Sequence, residues 1–183
     1  MTTSPDRTQQ AMDTPAQWMV LCLSALSHGD DPLFAEESAE ECSAANQRPW
    51  NILLVDDDEE VHHAMDLALG NAVIHGRALR IEHCHSASAA HEMLAAESPR
   101  VDLVLLDVVM ETEDAGLGLL DEIRTQPATR DLPVLLHTGQ PGRAPESAVR
   151  RRYDISGYLT KSNVTRPILV TALESALLGR KLP

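Results

Sequence analysis

The sequence predicts an α/β fold: a doubly wound, five-stranded parallel sheet with helices on both faces, behind a mostly disordered N-terminal extension. Three observations carry this. From Trp50 onward, short apolar runs alternate with amphipathic helical stripes, the pattern of strand–helix–strand units. The run at 101–106 is apolar apart from Asp102, as a strand covered on both faces requires. Five such units in about 130 residues leave room only for parallel strands with right-handed crossovers.

Residues 1–49 stand apart from this pattern as an acidic extension. Eight acids face only Arg7 and Arg48, so −6 of the formal net charge of −13 lies there. Ala, Ser, Thr and Pro fill much of the rest, which is poor core material. Residues 28–48 read as an acidic linker. Residues 16–27 are a candidate short helix, with Met19, Cys22, Leu23 and Leu26 on one side.

The second domain, 50–183, is built element by element. Ile52–Val55 is an apolar run closed by acids, a buried first strand. Val61, Ala64, Met65, Ala68 and Leu69 form the stripe of a helix lying on a sheet. Leu79–Cys84 is the second strand. Ser86 is placed to cap a helix through Ala90, Met93 and Leu94 that stops before Pro99. Val101–Leu106 is the third strand, and Leu117, Leu120 and Ile123 mark a helix over 116–125. Pro133–His137 is the fourth strand, and Pro145 suits the first turn of a helix with Ala148 and Val149. Gly157–Thr160 is the fifth strand. Thr165 then caps a last helix expected to bury Ile168, Leu169, Ala172, Leu173, Ala176 and Leu177.

Composition narrows the function. Fifteen basic residues against 28 acidic ones argue against direct nucleic-acid binding, which needs clustered positive charge. The five aromatics, Trp18, Phe34, Trp50, Tyr153 and Tyr158, leave no stacking platform for bases. Cys22, Cys42 and Cys84 have no paired spacing, so no disulfide framework is expected. The apolar run 16–26 is too short to span a bilayer, and the residues before it do not form a signal peptide. The expectation is a cytoplasmic protein without a membrane partner.

In a doubly wound sheet the functional crevice lies beyond the C-terminal strand ends. Asp56, Asp57 and Asp58 follow strand one, Asp107 follows strand three, Thr138 and Gly139 follow strand four, and Lys161 follows strand five. Crowded carboxylates repel unless a cation intervenes. Hard oxygen ligands suit Mg²⁺, and an ammonium and a hydroxyl suit the oxygens of a transferred phosphoryl group. A central carboxylate can itself be the nucleophile.

The motifs ILLVDDD at 52–58, LVLLDVVM at 103–110, LLHTG at 135–139 and GYLTK at 157–161 resemble those of response-regulator receiver domains, over about residues 50–180. The resemblance implies a flavodoxin-like strand order of 2-1-3-4-5. It implies Asp107 as phosphoacceptor, with Asp57, Asp56, Asp107 and the carbonyl of Val109 around Mg²⁺. Thr138 and Lys161 would contact the phosphoryl oxygens, and Tyr158 and Thr138 would act as the switch. Gly139 would leave the phosphate accessible. The implied donor is a histidine kinase or phosphotransfer protein. Segments 107–116, 137–142 and 152–155, with Asp-Pro-Leu-Phe-Ala at 31–35, resemble receivers that precede HD-GYP or GGDEF cyclic-di-GMP modules. No such module follows before Pro183, so a stand-alone receiver or one that has lost its effector is expected, with an unknown downstream partner possibly related to cyclic-di-GMP.

Two positions depart from the usual pattern, Ser162 after Lys161 and Glu111 after Met110, where many receivers have Pro. The first removes a cis peptide that would help place the ammonium; the second adds a carboxylate beside the acidic pocket. A pseudo-receiver acting only as an interaction module is therefore the alternative. An Asp-nucleophile phosphatase is disfavoured, because Val109 stands where a second acid would protonate the leaving group. Asp58 and Glu60 read as helix N-terminal acids. His83 and His85 share a strand face and Cys84 the other, so no metal is expected on them, and His62 and His63 read as exposed or half-buried. Arg150, Arg151 and Arg152 are the one basic cluster, a solvated helix end or a docking surface.

Overall fold

The computed structural model describes residues 48–96, 100–179 and 182; the candidate helix 16–27 and nearly all of the acidic linker lie outside them. Six strands and five helices alternate: β1 (Trp50–Val55), α1 (Glu59–Leu69), β2 (Val73–Ile74), β3 (Arg77–Cys84), α2 (Ala87–Ala95), β4 (Leu103–Leu106), α3 (Ala115–Thr125), β5 (Val134–Thr138), α4 (Glu146–Arg152), β6 (Gly157–Thr160) and α5 (Arg166–Leu177). The sheet order is β2-β3-β1-β4-β5-β6. Without the two-residue β2, this is the implied 2-1-3-4-5, all parallel.

The sixth strand corrects the expected count. β2 pairs antiparallel with the start of β3 across a two-residue turn, His75 and Gly76, both at positive φ. Such a turn matches the twist of a hairpin, and glycine at its second position removes the steric cost there. The indole of Trp50 holds the hairpin against β1 by donating to the Ile74 carbonyl at 2.9 Å. The Arg77 guanidinium lies 3.4 Å above the Trp50 ring.

Alternation along the strands divides the core into two layers. Leu53, Val55, Val104, Leu106, Val134 and Leu136 face α2, α3 and α4. Ile52, Leu54, Leu103, Leu105 and Leu135 face α1 and α5. These side chains are almost fully removed from water, each stabilising the fold by roughly 1.5–3 kcal/mol before entropic costs. On α5 the buried stripe is Leu169, Ala172, Leu173 and Ala176, while Ile168, expected inside, is 47% exposed. At about 100° per residue those four positions span an arc of about 100°, and Ile168 falls beyond its edge.

Capping follows the sequence closely, with two exceptions. Asp58 caps α1 by accepting from the Glu60 N–H, and Ser86 caps α2 by accepting from Ala89. Pro145 occupies the N-cap of α4 rather than its first turn, and Thr165 occupies the N-cap of α5 without a side-chain bond. β4 is two residues shorter than expected because Asp102 serves as a tertiary acceptor. Its carboxylate takes the Asn51 N–H at 2.9 Å and the Arg48 guanidinium at 2.6 Å.

Candidate functional site

The parallel register brings the C-terminal strand ends to one rim. Val55 pairs with Leu106, Leu106 with Leu136, and Thr138 with Thr160. The ladder continues one residue further through Asp107 N–H to Val55 O and Lys161 N–H to Thr138 O, at 2.9 and 2.8 Å. The backbone thereby fixes where the side chains of Asp56, Asp107 and Lys161 emerge.

They emerge in contact. Lys161 Nζ lies 2.7 Å from Asp107 Oδ2 and 2.7 Å from Asp56 Oδ2. The other oxygens are held by backbone: Asp107 Oδ1 accepts from Val109 N–H at 3.2 Å, and Asp56 Oδ1 from Asp58 N–H at 3.1 Å. Asp56 is fully buried and Asp107 nearly so, whereas Asp57 is exposed on the same rim. Burial pushes the Asp56 carboxyl up, against the pull of Lys161. For Lys161 burial alone would lower the pKa, but hydrogen bonds to Asp107 and Asp56 outweigh it, so the ammonium is held above its ordinary value.

The donor set fits a hard divalent cation. Ligand oxygens of Asp56, Asp57 and Asp107 lie within 4.8 Å of one another, and one ammonium cannot neutralise three carboxylates. Thr138 is fully buried and its Oγ1 accepts from Gln140 N–H at 3.1 Å. Tyr158, half-buried against the α2–α4 layer, donates its hydroxyl to the Ala144 carbonyl at 2.8 Å. That bond ties β6 to the loop after Thr138. Burial, with the charges of Glu146 and Asp107, raises the phenol pKa.

Neither departure from the usual pattern disturbs the rim. With Ser162 next in sequence, the Lys161 ammonium still reaches Asp107. Glu111 does not crowd the pocket: its Oε1 accepts from the Ala87 N–H at 2.9 Å. It adds an anion at the N-terminus of α2, where the helix dipole favours one. The arginine cluster is partly engaged, Arg150 with Glu146 and Arg152 with Asp121, while Arg151 is exposed.

Three residues carry more than their sequence signal suggested. Gly116 packs so tightly that a Cβ there would stand 2.0 Å from the Asp107 carbonyl oxygen and 2.8 Å from Val108 Cα, so only glycine lets α3 start behind the acid. His62, read as exposed or half-buried, is 3% exposed, and His137 is equally buried with both ring nitrogens lacking hydrogen-bond partners among the described residues. Cys84 does point to the opposite face from His83 and His85, into the α2–α4 layer. Among the described residues no helix is long and apolar enough to cross a membrane.

Comparison with known proteins agrees with this geometry. Residues 52–174 match the family model of the response regulator receiver domain. The chain is 42% identical over 132 residues to 3'3'-cGAMP-specific phosphodiesterase 2 of Vibrio cholerae, a match covering 72% of this chain and 25% of that protein. It is similar to the signal receiver domain of an HD domain-containing protein from Pseudomonas fluorescens Pf-5, at 27% identity and a TM-score of 0.57, covering 72% of this chain and 97% of that one. It is also similar to the Mn²⁺-bound form of response regulator Rcp1, at 30% identity and a TM-score of 0.55, covering 74% and 99%. The chain belongs to the response-regulator receiver domain family.

Proposed function

We propose that this receiver takes a phosphoryl group from a phosphohistidine partner, a histidine kinase or phosphotransfer protein, onto Asp107. The observation that carries this is the Lys161 ammonium bridging Asp56 and Asp107 at 2.7 Å each. It supplies positive charge where phosphoryl oxygens would gather, in a nearly buried site where charge interactions are strong. A carboxylate oxygen of Asp107 forms the new O–P bond while the P–N bond to the donor imidazole breaks. The bonding pair returns to that imidazole, which takes its proton from solvent. Lys161 and the Thr138 hydroxyl hold the phosphoryl oxygens.

Mg²⁺, held by Asp56, Asp57, the Asp107 carboxylate and the Val109 carbonyl, would supply charge neutralisation for the transfer. The relative solved in a Mn²⁺-bound form supports divalent-metal binding. Phosphorylation of Asp107 replaces a carboxylate that binds Lys161 with a more highly charged phosphoryl group. Thr138 is drawn towards it, and the loop carrying Ala144 moves with Thr138. The Tyr158 hydroxyl is released from, or fixed to, that loop, and the face around 143–165 changes shape. A downstream partner in cyclic-dinucleotide signalling is proposed from the Vibrio relative, of which the match covers 25%.

A pseudo-receiver would have no need of the Asp56–Lys161–Asp107 bridge. Intact mass after incubation with acetyl phosphate and Mg²⁺ tests the reading. One added phosphoryl group, absent in Asp107→Asn and in a metal-free control, is expected. Equal phosphorylation of Asp107→Asn would exclude it.

A further inference from the structure

Behind Asp56, α1 and β3 bring three imidazoles together. His62 Nδ1 lies 2.8 Å from His83 Nδ1, and the His85 ring centroid lies 4.1 Å from that of His62. The helix contributes Glu59, His62 and Asp66 at one face, β3 contributes His83, and His85 follows one residue beyond the strand's end.

Each ring is held from behind. His62 Nε2 is 2.8 Å from the Asp56 carbonyl oxygen, which only accepts, so that nitrogen carries the proton. His83 Nε2 lies 3.1 Å from Asp66 Oδ1, and that carboxylate favours a proton on the same nitrogen. With those tautomers both Nδ1 atoms present lone pairs to one another at 2.8 Å, an arrangement that a cation between them would satisfy;. His85 Nδ1 faces Glu59 Oε2 at 3.5 Å, which leaves its Nε2 as the remaining base. A carbonyl or carboxylate behind each imidazole is how proteins orient histidine ligands around a metal. A shared proton would serve two of these rings and give the third no role.

We propose that His62 Nδ1, His83 Nδ1 and His85 Nε2 form a second metal site, for a divalent cation of the zinc class. Imidazole suits zinc, copper and nickel, whereas magnesium prefers the oxygen ligands of the acidic rim. The His83 and His85 side chains are 30% and 52% exposed, so an ion can enter from solvent and keep a water in its fourth position. Nitrogens about 2.1 Å from a tetrahedral zinc stand roughly 3.4 Å apart, so the His62–His83 pair opens by about half an ångström. Among the described residues the ligand atoms that already lie within 4.8 Å of one another are those of Asp56, Asp57 and Asp107. His85 therefore swings inward on binding, and exposed Glu59 follows it.

Cobalt(II), a spectroscopic stand-in for zinc, tests this on the full chain in excess Mg²⁺, which occupies the acidic rim. One equivalent should bind with tetrahedral visible absorption and no thiolate charge-transfer band, because Cys84 faces the other way. His83→Ala and His85→Ala, at partly exposed positions, should weaken binding at least tenfold. Asp66→Asn should weaken it about tenfold by removing the charge behind His83, while His63→Ala leaves it unchanged. Absence of binding, a thiolate band, or binding that survives both histidine variants would overturn the site and leave the His62–His83 pair sharing a proton.

Discussion

Replacing His137 with leucine should remove much of the domain's sensitivity to mild acid. The imidazole lies on β5 beside Leu159, is 3% exposed, and has no hydrogen-bond partner at either nitrogen among the described residues. Burial, with the nearby Lys161 charge, lowers its pKa from 6.5 to about 4, against a smaller upward pull from Asp107. The unfolded chain therefore takes up a proton near pH 6.5 that the folded chain refuses until about pH 4. The stability this group contributes is present above the unfolded pKa and lost as pH falls through that window. At about 1.4 kcal/mol per pH unit the full loss is about 3 kcal/mol. Removing an unsatisfied buried polar group should add about 1 kcal/mol at neutral pH as well. Urea unfolding of both proteins at several pH values between 7.5 and 4 provides the test. The leucine variant should gain on the parent steadily as pH falls. A difference that stays constant across the range would refute the claim that His137 is held neutral in the fold.

Three further outcomes follow from the geometry of the rim. Gly116→Ala should cost about 3 kcal/mol or more, since its Cβ meets backbone rather than a movable side chain;. Gly139→Ala should fold like the parent, because its Cβ only touches Lys161 Cδ at 3.5 Å, and thermal melts of the two variants would show the contrast. Lys161→Ala leaves two buried carboxylates unpaired and should lower stability by about 3 kcal/mol. Mg²⁺ should restore more stability to that variant than it gives the parent, measured by melting with and without the ion. Once phosphorylated, the protein should lose its phosphoryl group slowly, because the side chain of Val109 has no polar atom to orient water; a half-life of seconds would contradict this.

The sequence was most informative where one physical rule decided the outcome. β1, β4 and β5 follow from apolar runs that must be covered on both faces, and the rim follows from which residues come next. Asp58 and Ser86 show their capping roles in residue type and position. Tertiary choices were less legible. The hairpin at 73–78 was marked by a two-residue His-Gly turn between short apolar segments, but a two-residue strand is too short to show periodicity. Asp102 and Glu111 are acids whose partners, Asn51 N–H and Ala87 N–H, are distant in sequence. His62 lies three residues after Glu59 and four before Asp66 on α1. Only the packing of that helix on β3 shows that it faces two more imidazoles. The N-terminal 47 residues lie outside the described structure, so their helix and linker remain expectations.

The central claim is that Asp107 is the atom-level acceptor, and locating the phosphoryl group tests it most directly. Trypsin should release Val101–Arg124 intact, since no Lys or Arg lies between Arg100 and Arg124. That peptide contains Asp102, Asp107, Asp114 and Asp121. Borohydride trapping of the acyl phosphate, followed by fragment sequencing, should place homoserine at position 107 alone. Homoserine at Asp102, Asp114 or Asp121, or at Asp56 or Asp57 in the tryptic peptide ending at Arg77, with Asp107 unmodified, would contradict the account.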